Sequence, residues 1–308
     1  MAAPTNTYTS TSAIGNREDL TDIIDRITPT ETPFYSMISK TKASNTLHEW
    51  QTQALRAGQD NAQAEGDDTI ATAVTPQVRL GNRTQILKEA ASVTGTQEVV
   101  DKAGSKSEMM KQMALKSAEM KLDIEYALTR NSVAATSPRK MRGLPGWAVA
   151  ANVSSGAGYV APNYVTNVAQ TDGTQRAFTE AMLKDTAQKC YTAGGRPTVL
   201  MMGSTQKQTF STFTGNATRQ KDAEDKRLVA SIDVYVSDFG TFKAVVNLQQ
   251  RSRDIWLLQS DKWAFAVLRP WQKTDLAKTG DSDRKQILLE ATLECINPAA
   301  NGAVLDVL

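Results

Sequence analysis

The 308-residue sequence predicts an α+β fold on three observations. One segment, 105–130, carries unbroken helical periodicity. Strand-like runs crowd the C-terminal third. Helix and strand patterns also never alternate in the regular βαβ order of a doubly wound sheet.

The first patterned stretch, NREDLTDIIDRITPTETPFYSMI (16–38), holds two short amphipathic pieces separated by prolines. Leu20, Ile23, Ile24 and Ile27 fall at i, i+3, i+4 and i+7, so they share one helical stripe. Asn16 is a suitable cap, Glu18 and Asp19 suit the positive end of the helix dipole, and Pro29 ends the piece. The second piece offers Phe34, Met37 and Ile38 at the same spacing, with Pro33 fit for a first turn. Helices this short are marginal alone and order only against another surface, either their own domain or a neighbouring copy.

Residues 44–87 read as two long strands flanking a polar tip. Leu47, Trp50 and Leu55 mark one leg, and Val78, Leu80 and Ile86 the other. Glu65, Asp67 and Asp68 make the tip acidic, while Arg56, Arg79 and Arg83 sit on the legs. A polar hairpin of this length is unstable in isolation and is expected to lean on something outside its own domain.

In 105–130, Ser105 and Glu108 have capping-box spacing. Met110, Met113, Ser117, Met120, Ile124 and Ala127 form one row, and Leu115, Ala118, Leu122 and Tyr126 a second. A helix of roughly 39 Å follows at 1.5 Å per residue, long enough to act as a spine. Residues 131–175 are irregular and rich in turn formers, with RGLPGW marking a turn before Trp147. RAFTEAMLKDTAQKCYTAGG then reads as a helix closed by Gly194 and Gly195, RPTVLMMGS as a buried strand, and Ser204 opens another helix, STQKQTFSTFTG. A charged connector, TRQKDAEDKR, leads to a hairpin with alternation at Ile232, Val234 and Val236; the last part is strand-rich.

Composition bounds the function. Lys+Arg 35 against Asp+Glu 33 gives a net charge of +2, which argues against a dedicated nucleic-acid binder while leaving room for non-specific contact with polyanion. The polar start lacks the apolar core of a secretory signal, and no run is long enough to span a bilayer, so no membrane association is expected. Cys190 and Cys295 match no metal or redox spacing and read as free thiols of a chain made in a reducing cytoplasm, although sequence leaves their pairing open.

Motifs for catalysis are missing. His48 is the single histidine and lies in a strand of the polar hairpin, so a structural role is the better reading. DKAGSKS (101–107) lacks the glycine-lysine adjacency of a phosphate loop. TGDSDRKQ spaces two aspartates like a calcium loop, yet Gln286 stands where the turn glycine belongs. TAGGRPT follows a helix and precedes a strand, the wrong order for a dinucleotide fingerprint. No catalytic, cofactor-binding or metal residues are predicted, and the chain reads as a non-enzyme.

The order of arm, extended hairpin, long helix, α/β region and closing strands resembles the Hong Kong 97 capsid fold of tailed-phage major capsid proteins. Local stretches carry the resemblance further: NREDLTDIIDRITPTETPFYSMI, NTLHEWQTQAL and WAFAVLRPWQKTDLAKTGDSDRKQILLEATLECINP. It implies a virion protein, made in the bacterial host cytoplasm, whose hexamers and pentamers close an icosahedral shell around double-stranded DNA. By the resemblance, 1–43 is an N-terminal arm, 44–88 an extended loop lying over a neighbour and 89–175 a peripheral domain containing the spine helix. Residues 176–250 then form an axial domain, and 251–308 return to the peripheral domain. The subunit interface would include Leu20, Ile23, Ile24, Ile27, Phe34, Met37, Ile38, Trp50, Arg56, Glu65, Asp67, Asp68, Arg79 and Arg83. Some relatives weld their shells through a loop lysine, but no lysine lies between Lys42 and Lys88. Burial, strand addition and charge pairing, or a cement protein, would serve instead, with separate scaffolding and portal proteins as partners. Two rival readings are an encapsulin-like shell carrying enzyme cargo and a cytoplasmic enzyme with a swapped arm.

Overall fold

The structure, a computed structural model, describes residues 29–66, 68, 73–100, 106–213 and 233–308. The arm's second piece forms a five-residue helix, α1 (Pro33–Met37), with proline in its first turn, and continues into β1 (Ser39–Lys42). Strands β2 (Leu47–Thr52) and β3 (Val78–Arg83) pair antiparallel, Leu47 opposite Arg83 and Thr52 opposite Val78. They are the base of the expected hairpin, with much shorter legs. Leu55 is 94% exposed outside any strand, and Ile86 belongs to the next element, β4 (Gln85–Thr94). The glycine-, alanine- and amide-rich middle has no apolar alternation to hold a ladder in register.

A short helix, α2 (Gly95–Val99), precedes the spine helix α3 (Glu108–Arg130). Its 23 residues span about 35 Å at 1.5 Å per residue. Ser107 is the cap, accepting from the Met110 amide, and Glu98 of α2 accepts from the Glu108 and Met109 amides. The expected cap, Ser105, lies outside the described residues. Met113, Met120, Ile124 and Ala127 are buried as the first row requires, but Met110 is exposed and the second row stays half open.

Beyond α3 come the short strands β5 (Ala135–Thr136), β6 (Arg139–Lys140) and β7 (Val153–Ser154), then α4 (Glu180–Thr192). Gly194 follows α4 at φ +81, the left-handed cap position expected of it. The chain continues through β8 (Val199–Met202), α5 (Ser204–Ser211), β9 (Val234–Ser237), β10 (Gly240–Val246) and β11 (Asp254–Leu258). It closes with the long strands β12 (Trp263–Asp275) and β13 (Ser282–Cys295), and with β14 (Gly302–Leu305). The charged connector and Ile232 lie outside the described residues.

Two sheets organise the molecule. The first has order β1-β12-β13-β4 and packs one face on α3: Leu87 and Val93 of β4 and Ile287 and Leu289 of β13 join Met113, Met120 and Ile124 in one core. The second has order β7-β14-β11-β8-β10-β9, and its core gathers Leu183 of α4, Phe210 of α5, Phe242, Ile255, Leu257 and Val304. Residues 251–308, read as one returning segment, divide between the two. β12 and β13 join the first sheet, while β11 and β14 sit in the middle of the second. These strands all contain continuous buried runs and look alike in sequence, so only the long-range pairing separates them.

Candidate assembly interface

The arm is held to the body at one buried acid. Glu125 of α3 is fully buried, and its carboxylate accepts from the Phe34 and Tyr35 amides, both at 2.8 Å, and from the Asn247 side-chain amide at 2.6 Å. The first two donors are free N–H groups at the start of α1, which the helix itself cannot satisfy. Burial pushes the Glu125 carboxyl above its usual range, opposed by these three hydrogen bonds. Arm, spine helix and the loop after β10 therefore meet at one side chain. The signal in sequence was weak: Glu125 is one of two acids in LDIEYAL, and the other, Asp123, is exposed.

This anchor corrects part of the expected interface. Phe34 is fully buried and packs edge-on against Trp263 at 5.8 Å, and Ile38 is 4% exposed, so both are covered by their own chain. Their spacing is that of any amphipathic helix and does not say whose surface it meets. Met37 is half-buried against the same core. Leu20, Ile23, Ile24 and Ile27 lie outside the described residues, as does Asp67.

The hairpin base also leans inward. Trp50 is half-buried, donates its indole N–H to the Cys295 carbonyl at 3.0 Å and lies 5.6 Å from the Trp147 ring. His48 places Nε2 3.2 Å from the Glu294 carboxylate. Asn82, buried beneath, donates to the Arg142 and Leu293 carbonyls and accepts from the Arg142 amide. Arg83 is half-buried, and its carbonyl accepts from the Thr292 hydroxyl. Beyond this base the chain is open: every described residue from 53 to 79 is exposed, including Arg56, Glu65, Asp68 and Arg79. Arg79 lies 3.7 Å from Glu49, a pairing in solvent that contributes little.

A second polar assembly went unseen in the sequence. Arg251 meets Asp172 at 2.5 Å; Arg253 meets Asp306 and lies 3.3 Å from Asp172. Asp254 is 1% exposed, and Arg251 approaches it to 3.4 Å without hydrogen-bond alignment. Burial pushes its carboxyl up to about 7. Arg251 and Arg253 also edge an open cavity of about 380 Å³ with Arg130, Ser204 and Thr205. Their charges are committed to the aspartates, so the assembly welds the 156–173 loop to the second sheet and is not an anion cradle. Among the described residues no group of three or more His, Cys, Asp or Glu side chains is placed to hold a metal, and no helix is long and apolar enough to cross a membrane. Cys190 and Cys295 are buried free thiols.

Comparison with known proteins bears on the whole chain. The sequence model of a family described as SU10 major capsid protein matches residues 3–307. A protein named major capsid protein from Escherichia phage Phieco32 is 27% identical over 344 residues, covering 99% of this chain and 97% of that one. The fold is similar to a solved structure described as "Cyanophage A-1(L) capsid asymmetric unit", with TM-score 0.67 and 15% identity over 97% of this chain and 98% of that one. It is also similar to "Capsid of native GTA particle computed with C5 symmetry", with TM-score 0.66 and 10% identity over 97% and 98%. At such identities the structural likeness speaks for the fold alone.

Proposed function

From the premise that this chain belongs to the SU10 major capsid protein family and is a phage shell subunit of Hong Kong 97-like fold, we propose that its copies form hexamers and pentamers closing an icosahedral shell around double-stranded DNA. The observation that carries the arrangement is the exposed loop beyond β2 and β3. Its described residues bury nothing in their own chain, although Leu55 and Val74 are 94% and 83% exposed. Laid over a neighbouring copy, the loop covers these side chains and brings Glu65 and Asp68 within reach of that copy's cations. The arm upstream of the Glu125 anchor makes the second contact between copies.

With no lysine from 43 to 87, the loop has no nucleophile for an isopeptide weld, so burial and charge pairing, or a cement protein, hold the shell. The near-neutral charge suits an inner wall that tolerates packaged DNA without gripping it, because sequence-independent affinity grows with the number of phosphates neutralised. The subunit is non-catalytic, is made in the bacterial host cytoplasm, and assembles with scaffolding and portal proteins. The test is to replace residues 55–75 by a short glycine-serine turn. A folded chain that yields no closed particles by electron microscopy is expected; normal particles of uniform size would overturn the reading.

A further inference from the structure

β12 outruns its cover. β1 pairs with it only from Ala264 to Val267 and β13 holds its other side, so among the described residues no strand lies against the outer edge of β12 beyond Val267. Every residue from Arg269 through the turn to Asp281 is exposed, so this end of the β12–β13 hairpin is open on both faces. Two register shifts against β13 fall between Val267 and Gln272, with Pro270 among them, so a regular pairing surface begins only at Gln272. The Leu276 amide donates to the Arg284 carbonyl at 2.9 Å. Backbone direction alternates along an antiparallel strand, so Gln272 and Thr274 also turn toward β13, while Lys273 and Asp275 present their N–H and C=O groups outward.

We propose that this edge pairs antiparallel with the same edge of a second copy across a twofold axis through Thr274, joining the first sheet of each copy into one. The residues select the register. Hydrogen bonding requires outward-facing residues to oppose one another, so the axis must pass through a residue and not between two. An axis through Lys273 or Asp275 sets like charges face to face, which is destabilising. An axis through Gln272 runs into the irregular stretch with Pro270. Through Thr274, Lys273 opposes Asp275 of the second copy twice over, and each pair exchanges two backbone hydrogen bonds. Thr274 then opposes itself, and Leu276, 36% exposed, comes opposite Gln272. Asp275 is held otherwise only by Lys285 of its own hairpin at 3.1 Å, a tie in solvent that yields readily. A contact of this kind uses one patch on both copies and closes at two, so the open edge is capped and cannot recruit further strands.

The pairing rests on the shell reading for its setting, because assembly is what brings copies together. The test uses the full chain in assembled particles, mildly oxidised and run on a non-reducing gel; the two native thiols are buried. In Thr274→Cys the two thiols face each other across a non-hydrogen-bonded pair with Cα atoms about 4.5 Å apart, within disulfide reach. In Gln272→Cys they are offset by four residues, about 14 Å, beyond that reach. A disulfide-linked dimer about tenfold more abundant for Thr274→Cys than for Gln272→Cys is the expected result. Equal yields, or no dimer from Thr274→Cys, would overturn the pairing, whatever else covers the edge. Adding Lys273→Asp to Thr274→Cys should lower the dimer yield, and adding Asp275→Lys as well should restore it; an unrestored yield refutes the register. Normal particles without the dimer would remove the edge pairing and leave the shell reading standing. Absence of particles from the parent chain, scored by electron microscopy, would remove the shell reading, and the same gel on the concentrated soluble chain then judges the edge.

Discussion

Replacing Glu125 by alanine strips the arm of its anchor. The Phe34 and Tyr35 amides and the Asn247 side chain lose their acceptor, and each stranded donor costs about 1–3 kcal/mol. The arm can escape that cost by lifting away, which forfeits the burial of Phe34 and Ile38 at about 1.5–3 kcal/mol each. The cheaper route sets the outcome, so the loss is capped near 3–6 kcal/mol and falls on residues 29–43 rather than on the whole fold. Removing a desolvated carboxyl returns part of this, leaving about 2–4 kcal/mol. Hydrogen exchange reads it directly: protection of the Phe34 and Tyr35 amides should fall roughly 30- to 900-fold while β8 and β11 keep theirs. The pH dependence has a definite sign. Because the docked carboxyl is held above its ordinary 4.5, docking is strongest below that pH and weakens as pH climbs through the raised value. Glu125→Gln should flatten the slope. Unchanged Phe34 and Tyr35 protection in the alanine variant would refute the anchor.

Asp254→Asn should be neutral or stabilising at pH 8. The native carboxyl, raised from 3.8 to about 7, favours folding fully only below pH 3.8 and loses that contribution as pH rises past 7, by up to ~4 kcal/mol; a flatter melting-temperature profile between pH 5 and 8 is the check. Trp50→Ala removes the indole bond to Cys295 and a half-buried ring, so the hairpin base should loosen by about 2–3 kcal/mol, seen as faster exchange confined to β2 and β3. Cys190, its thiol pushed up to about 12 by burial, and Cys295, raised well above its ordinary value, should resist a thiol reagent in the native chain and both react on denaturation.

Elements whose partners are local were legible. α4 with its glycine cap, β8, α5 and the β9–β10 hairpin lie within the segments that predicted them, though α4 starts at Glu180 rather than Arg176 and β8 keeps only Val199–Met202, because each pattern is settled within about a dozen residues. What depends on distant partners was not. Nothing near Glu125 in the chain announces Phe34, 91 positions away, or Asn247, 122 away. The division of 251–308 between two sheets turns on which edge each strand finds. Of the interface residues named from sequence, Arg56, Glu65, Asp68 and Arg79 of the loop are exposed, while Phe34 and Ile38 are core, since an apolar stripe identifies a buried face without naming its cover.

β14 lies between β7 and β11, deep within the second sheet, and is the last strand in chain order. A ribosome has 43 residues to make between Leu258, the end of β11, and Gly302, the start of β14, roughly 2–9 s at about 5–20 residues per second. Throughout that interval the nascent polypeptide bears an unclosed sheet edge beside Ile255 and Leu257. Closure of the second sheet thus waits for a segment made after all of that sheet's other strands, so its middle cannot be complete while β12 and β13 are still being made.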